Sequence, residues 1–141
     1  MVVVDANLLV ALVSGDPRGS KVLQQLVEWI DHDVELHAPA LAHYEIINAL
    51  TRLVVAGAFH LDKILDKIEA AWNDLSVLPV TYHVLENAKR TVEIALNLGR
   101  QTAYDAAYIE LAERLKAELW TLDGPLYRNA VGLNFPVRLL T

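Results

Sequence analysis

Cysteine is absent from this sequence of 141 residues, and its absence excludes disulfides, thiolate zinc sites and thiol catalysis. Positive charge is scarce as well, since 12 Lys and Arg stand against 18 Asp and Glu and give a formal net charge of -6. A protein that coats nucleic acid would be basic, so this class is disfavoured. An enzyme that cuts nucleic acid remains open, because metal ions can supply positive charge locally. No apolar run of about 18 residues lacks charges, so we expect no membrane span.

Apolar residues, in contrast, make up 54% of the chain and charged residues 21%. This composition excludes a disordered protein, and the length fits a single domain over residues 1–141. The high apolar share favours a buried interface between copies, so a homodimer is expected. A strand is predicted from Val2 onward, which leaves no room for a signal peptide. Together with the lack of cysteine, this suggests a cytoplasmic protein.

Apolar stretches of strand length alternate with helical patterns along the chain. Strands are predicted at 2–5, 36–38, 76–80 and 119–122, with 137–140 as a candidate fifth. Helices are predicted at 7–13, 20–30, 41–56, 59–75, 82–98 and 103–117, with Ser20 and Thr102 as caps of two of them. Strands separated by helices imply an α/β fold with a central parallel sheet of four to five strands, covered on both faces.

Four acidic residues lie where sites form in such a fold. Asp5 and Asp123 each follow an apolar strand, and the carboxyl ends of parallel strands are where ligands bind. Glu45 lies in an apolar helix, and Asp105 lies in the first turn of another. If the fold gathers the four side chains, they form an all-oxygen pocket. Hard cations such as Mg²⁺ or Mn²⁺ prefer such ligands, and phosphodiester chemistry uses them.

Each acid also has an ordinary structural interpretation. Asp5 can cap the helix that follows it, and Asp123 precedes Gly-Pro and can belong to a turn. Glu45 falls off the apolar stripe of its helix and can be a solvated residue. Asp105 can form a capping box with Thr102, although it lies at the edge of the core face, where a carboxylate needs compensation. The pattern of each helix or strand alone does not decide between these interpretations.

Two further features come from the strand and helix patterns. Thr121 lies two residues before Asp123, so both would point to the same face of the strand, and the hydroxyl could orient a metal-bound water or the Asp123 carboxylate. On the helical wheel of 103–117, Tyr104 and Tyr108 belong to the core face and Glu110 to the solvent face.

With these segments in hand, the chain resembles the PIN domain, and more closely the toxin subunit of VapBC-type toxin–antitoxin pairs. Four motifs carry the resemblance, in order and over essentially the whole chain: Val-Val-Val-Asp5-Ala-Asn7, Tyr-Glu45-Ile-Ile-Asn-Ala-Leu50, Thr102-Ala-Tyr-Asp105-Ala-Ala-Tyr108 and Thr121-Leu-Asp123. The chain departs from the family at Asn7, where Ser or Thr is frequent. Asn keeps an oxygen acceptor and an amide donor, so it can still support the neighbouring carboxylates.

The resemblance implies a three-layer α/β/α fold and a metal-dependent ribonuclease that uses Mg²⁺ or Mn²⁺. By matching position, Asp5, Glu45, Asp105 and Asp123 would be the catalytic, metal-binding acids. The implied partners are an RNA substrate and a small antitoxin protein that blocks the toxin. Arg52 lies about two helical turns beyond Glu45 on the same side, where it either contacts the RNA backbone or is an ordinary surface arginine.

Three other classes compete with this interpretation. A phosphatase of the haloacid dehalogenase type needs Asp-x-Asp, whereas this chain has Asp5-x-Asn7. A receiver-type signalling domain needs a lysine at a strand end, and none is evident. A non-catalytic PIN-like module that binds RNA or protein is the remaining alternative, and activity separates it from the ribonuclease.

Overall fold

The computed structural model describes residues 1–58 and 63–141, in which five strands and seven helices follow one another. In chain order they are β1 (Val2–Val4), α1 (Ala6–Val13), α2 (Gly19–Asp31), β2 (Leu36–Pro39), α3 (Ala42–Val55), α4 (Ile64–Ser76), β3 (Val80–His83), α5 (Ala88–Asn97), α6 (Tyr104–Leu115), β4 (Glu118–Thr121), α7 (Gly124–Gly132) and β5 (Val137–Leu139). Among these helices, none has the length and apolar character that a membrane span requires.

The five strands form one parallel sheet in the order β3-β2-β1-β4-β5. The chain moves outward from β1 to β3 and then returns to β4 on the other side of β1. Because parallel crossovers are right-handed, α1–α4 cover one face of the sheet and α5–α7 the other. The packing of α1 against α2 and α3, and of α5 against α6, agrees with this division. The predicted three-layer α/β/α fold with a parallel sheet is therefore confirmed.

A single apolar core fills both interfaces between sheet and helices. All three residues of β1 are buried, as expected of a central strand with helices on both faces. Leu8 and Leu9 of α1 pack from one side, and Tyr108 and Ile109 of α6 from the other. The core thus fixes the end of β1, from which the first predicted site residue follows.

Two predicted boundaries near the third strand are wrong. The prediction placed a strand at 76–80, but α4 runs through Ser76, whose hydroxyl donates to the carbonyl of Trp72. It placed a helix from residue 82, but Tyr82 and His83 belong to β3 and pair with β2. A short apolar run does not distinguish the last turn of a helix from a strand, and here pairing with β2 decides.

The predicted caps are also wrong, and one helix was not predicted. Helix α2 begins at Gly19, ahead of Ser20, and α6 begins after Ala103 without any side-chain cap from Thr102. Helix α7 follows β4 directly, and the Asp123 side chain caps it by accepting from the amide of Leu126 at 2.9 Å. The interpretation of Asp123 as a turn residue missed this helix, because Asp before Gly-Pro is compatible with both a turn and the start of a helix.

The helical wheel of α6 misplaced two residues. Tyr104 is 60% exposed rather than part of the core, and Glu110 is 3% exposed rather than solvated. Glu110 is buried because Arg114 pairs with both of its carboxylate oxygens, at 3.0 and 3.3 Å. The helix predicted at 59–75 is found from Ile64 onward, and its first residues, 59–62, lie outside the described part of the chain.

Candidate active site

The candidate site lies at the carboxyl ends of β1 and β4, where the strand order reverses. Asp5 directly follows β1, and its backbone amide donates to the carbonyl of Trp120 in β4 at 2.9 Å. Asp123 follows β4 by two residues. A crevice opens at such a switch point, because the chains leaving the two strands turn to opposite faces of the sheet. Glu45 reaches this crevice from α3 and Asp105 from α6, which belong to opposite helical layers.

All four predicted acids line a single cleft of about 690 Å³. Each of them lies at the start of a helix: Asp5 precedes α1, Glu45 is in the first turn of α3, Asp105 is in the first turn of α6 and Asp123 precedes α7. The positive end of a helix dipole stabilises a nearby carboxylate. Four helix starts therefore converge on the cleft and partly offset the repulsion among its acids.

Asp5 is the most strongly perturbed of these acids. Its Oδ1 accepts from the backbone amide of Asn7 at 3.2 Å, so the predicted capping of α1 by Asp5 is confirmed. Its Oδ2 accepts from the hydroxyl of Thr121 at 2.8 Å. Burial raises the pKa of Asp5 from 3.8 to about 7, and the negative charges of Glu45 and Asp105 add to this, although both hydrogen bonds act in the opposite direction.

Thr121 is fully buried and holds the two strand ends together. Besides donating to Asp5, its hydroxyl oxygen accepts from the side-chain amide of Asn7 and from the backbone amide of Asp123, each at 3.0 Å. The side-chain oxygen of Asn7 accepts from the backbone amide of Leu122 at 3.1 Å. The hydroxyl of Thr121 therefore orients the carboxylate of Asp5 rather than that of Asp123, of which it contacts only the backbone amide. Asn7 contacts Thr121 and Leu122, and its role in supporting the metal-binding acids stays a prediction.

Glu45 is oriented by a residue that sequence analysis assigned only to the core. The hydroxyl of Tyr108 donates to Oε1 of Glu45 at 2.7 Å and accepts from the backbone amide of Ala6 at 3.3 Å. Burial raises the pKa of Glu45, and the charge of Asp105 adds to this effect. The signal for Tyr108 was its position three residues after Asp105, which places both on one face of α6.

Asp105 stands between opposing charges. Burial raises its pKa, the guanidinium of Arg100 lowers it from 3.7 Å away, and the charge of Asp123 raises it. Arg100 was missed because it lies before the helix, and neither strand nor helix periodicity points to it. Because Arg100 lies 3.7 Å from Asp105, it compensates the negative charge of that carboxylate only in part.

Two guanidinium groups line the same cleft. Arg18 is bound to Asp16 by two contacts, at 2.9 and 3.1 Å, so its charge is largely neutralised. Arg52 is exposed on the last turn of α3, and its charge lowers the pKa of Glu45. Arg52 therefore lines the cleft on the side of Glu45, and its contact with RNA stays a prediction, while Arg18 and Asp16 were not anticipated.

The donor chemistry of the cleft fits a hard divalent cation, since its charged ligands are all carboxylates. As placed, however, no three His, Asp or Glu side chains within residues 1–58 and 63–141 stand close enough to hold one ion together. Burial is the main cause of the raised pKa values of Asp5, Glu45 and Asp105, and the charges of neighbouring acids add to it, so a cation would favour the charged forms. The carboxylate ligands therefore have the right chemistry for a hard cation. In the positions that the structure gives them, they do not form a complete coordination site.

This fold and cleft define a class: parallel α/β domains that gather acids at the topological switch point. The family model of the PIN domain matches residues 2–132, so the chain belongs to the PIN-domain family. It is 34% identical over 124 residues to ribonuclease VapC3 of Pyrobaculum aerophilum, covering 88% of this chain and 90% of that relative. Ribonuclease VapC3 of Mycobacterium tuberculosis is 34% identical over 128 residues, covering 90% and 85%. The crystal structure of PAE2754 from Pyrobaculum aerophilum shares the fold at a TM-score of 0.63 and 23% identity, covering 91% of this chain and 78% of that one.

Proposed function

We propose that this protein is a metal-dependent endoribonuclease and the toxin of a type II toxin–antitoxin pair, acting in the cytoplasm with Mg²⁺ or Mn²⁺. One observation carries the proposal: Asp5, Glu45, Asp105 and Asp123, far apart in sequence, line one cleft at the switch point of the sheet. The relatives named VapC ribonucleases support the reaction class.

In this proposal the four acids would hold the ion. When bound, it would lower the pKa of water and stabilise negative charge on the phosphate undergoing in-line displacement. The chain's own residues prepare the site. Thr121 holds the Asp5 carboxylate in one orientation, Tyr108 does the same for Glu45, and the four helix starts lower the energy of the charged forms. No side chain need act as a covalent nucleophile.

Cleavage of labelled RNA tests the proposal. We expect the purified protein to cut a panel of structured and unstructured RNAs with Mg²⁺ or Mn²⁺, and EDTA to abolish cutting. The Asp5→Asn variant, purified in parallel, controls for contaminating nuclease. Full cutting in EDTA by a preparation whose Asp5→Asn counterpart is inactive would refute the metal requirement.

The alternative is a PIN-like module that binds RNA or protein without cutting it. The open arrangement of the acids, with no three placed around one ion among the described residues, is the observation in its favour. Isothermal titration with Mn²⁺ separates the two functions. The enzyme should bind Mn²⁺ and lose binding in Asp105→Asn, whereas the module should show no specific site.

A homodimer is part of the proposal. Helices α3 and α4 expose large apolar side chains, among them Ile47, Val55 and Leu65, which are 40%, 82% and 79% exposed. Burying such side chains between two copies removes apolar surface from water. Sedimentation at tens of micromolar should give a dimer, and a monomer there would contradict this expectation.

The antitoxin is expected to compete for the same cleft. A segment with apolar anchors and an arginine would fit, because the planar guanidinium binds carboxylates bidentately and stays charged. Its affinity should fall in an Asp5→Asn, Asp105→Asn double variant, and excess Mg²⁺ should weaken it. Unchanged affinity in that variant would place inhibition elsewhere on the surface.

A further inference from the structure

Two tyrosines at the cleft have no role in the proposed metal chemistry. Tyr44 on α3 is 77% exposed, and Tyr104 at the start of α6 is 60% exposed. Both line the acidic cleft, and each directly precedes one of its acids, Glu45 and Asp105. Neither phenol ring makes a hydrogen bond or ring contact with the residues that the structure describes.

The two rings come from opposite sides. Helix α3 belongs to the layer of α1–α4 and α6 to the layer of α5–α7, so the rings of Tyr44 and Tyr104 approach the cleft across the edge of the sheet. An RNA strand whose reacting phosphate lies among the acids would therefore have one tyrosine ring on each side of that phosphate.

The charge of the cleft makes uncharged contacts necessary. Five carboxylates and only two guanidinium groups line it, and one of the latter, Arg18, is already paired with Asp16. A polyanion gains little from such a surface beyond what bound cations provide. Stacking of bases on aromatic rings does not depend on charge and tolerates any base sequence. Tyr44 and Tyr104 are the exposed rings positioned to supply it.

We propose that Tyr44 and Tyr104 stack on the nucleobases that flank the scissile phosphate and so select unpaired, splayed nucleotides as substrate. The proposal rests on the ribonuclease function proposed above and adds to it the means of positioning. Bases inside a duplex are stacked on each other, so a double-stranded segment offers them no free face. The tyrosines are positioning residues, and the acids remain the reacting site.

Binding of a single-stranded oligoadenylate of about 12 nucleotides tests the stacking separately from cutting. The measurement uses the Asp5→Asn background, which prevents turnover, with Mg²⁺ present. Tyr44→Ala and Tyr104→Ala should each weaken binding about tenfold, whereas Tyr44→Phe and Tyr104→Phe should bind like the parent. Val84→Ala in the segment after β3 and Leu96→Ala on α5 are matched controls, since both side chains are 70% exposed or more and lie outside the cleft.

An abasic oligomer of the same length serves as the second probe, so that each variant is compared with and without bases. Against this probe, the parent and both Ala variants should bind equally, because no base remains to stack. Equal weakening on both probes would show that the tyrosines act on the backbone or the fold, and would overturn the proposal. Unchanged RNA binding with an altered sedimentation coefficient would assign the tyrosines to a protein interface instead.

Cleavage by the otherwise wild-type protein gives the second measurement. Each Ala variant should raise KM about tenfold and leave kcat within about twofold. If no variant and no wild-type protein cuts RNA, the ribonuclease function fails, and the binding cycle still decides whether the two rings stack on bases. Loss of kcat with unchanged KM would contradict the positioning role.

Discussion

Buried and partly buried acids occur in two regions of this protein and are compensated in different ways. On α6, Glu110 accepts two bonds from Arg114 of the same helix, and Glu113 accepts two from Arg90 of α5 at 2.9 Å each. In the cleft, Asp5 has a threonine hydroxyl and a backbone amide but no ion pair among the described residues. The first region neutralises its charges within the helical layer, and the second leaves them available.

The difference shows how the fold separates stability from function. The negative charge of a buried carboxylate is compensated when an arginine pairs with it. Glu110 and Glu113 therefore need no further cation. In the cleft, Asp5 and Glu45 are held by neutral donors and helix starts, and Asp105 has only a long contact with Arg100, so their charges are not cancelled. A site that binds a cation must keep uncompensated negative charge of this kind. Each of the following changes tests whether the two regions differ in this way.

The largest effect is expected from removing a charge in the cleft. Asp105→Asn should reduce the rate of RNA cleavage about 10²- to 10³-fold, as for loss of a preorganised electrostatic group. This corresponds to roughly 3–4 kcal/mol in the barrier. Glu113→Gln is the matched change in the other region and should keep full activity. Comparable losses in both variants would mean that the cleft acids have no special role.

Breaking the ion pair between Glu110 and Arg114 within α6 should affect stability instead. Arg114→Met leaves Glu110 buried without its partner, so the free energy of unfolding should fall by about 3 kcal/mol. Urea titration measures the loss, and the double variant with Glu110→Gln should recover most of it. If the single variant is as stable as the parent, the pair is not what compensates Glu110.

Asp5→Asn should do the opposite and stabilise the metal-free protein. The pKa of Asp5 is raised from 3.8 to about 7, so the folded state holds a proton that the unfolded state releases, and wild-type stability falls as pH rises through this window. We expect the free energy of unfolding of the variant to exceed that of the wild type by about 2 kcal/mol above pH ~7.5 and to equal it near pH ~4. This gain is smaller than the full pKa shift would give, because Asn loses the charge-assisted bond to Thr121. Melting curves in EDTA at both pH values decide, and a gain that is equal at both would show that the raised pKa is not its cause.

A smaller effect is expected from the donor that orients Asp5. Thr121→Val should lower activity about tenfold and raise the Mn²⁺ concentration needed for half activity, as for other residues that orient ligands. Thr121→Ser keeps the hydroxyl and should restore both. Equal defects in the two variants would assign the residue a packing role alone.

The smallest effect is expected from Arg52, the exposed cation that faces the acids. Arg52→Gln should raise KM for RNA by no more than about threefold and reduce its salt dependence slightly, since one exposed phosphate contact is weak. Arg90→Gln, whose charge is taken up by Glu113, should leave the salt dependence of KM as it is in the wild type.

The sequence by itself determined the fold class and the order of the four acidic segments. Apolar strands that end on a polar residue specify a parallel sheet with sites at its carboxyl edge, and this holds for Asp5 and Asp123 from local pattern alone. Short-range signals failed where one residue serves two purposes. Asp123 caps a helix and lines the cleft, so the turn interpretation missed α7.

Only the tertiary structure decided which acids are compensated and which are not. The helical wheel placed Glu110 in solvent and Tyr104 in the core, and both assignments were wrong because a wheel describes one helix and not the layer packed against it. The contact of Tyr108 with Glu45 joins residues 63 positions apart. Periodicity acts over a few residues, whereas desolvation and pairing depend on every element that surrounds a side chain, and these are known only once the sheet and both helical layers have been assembled.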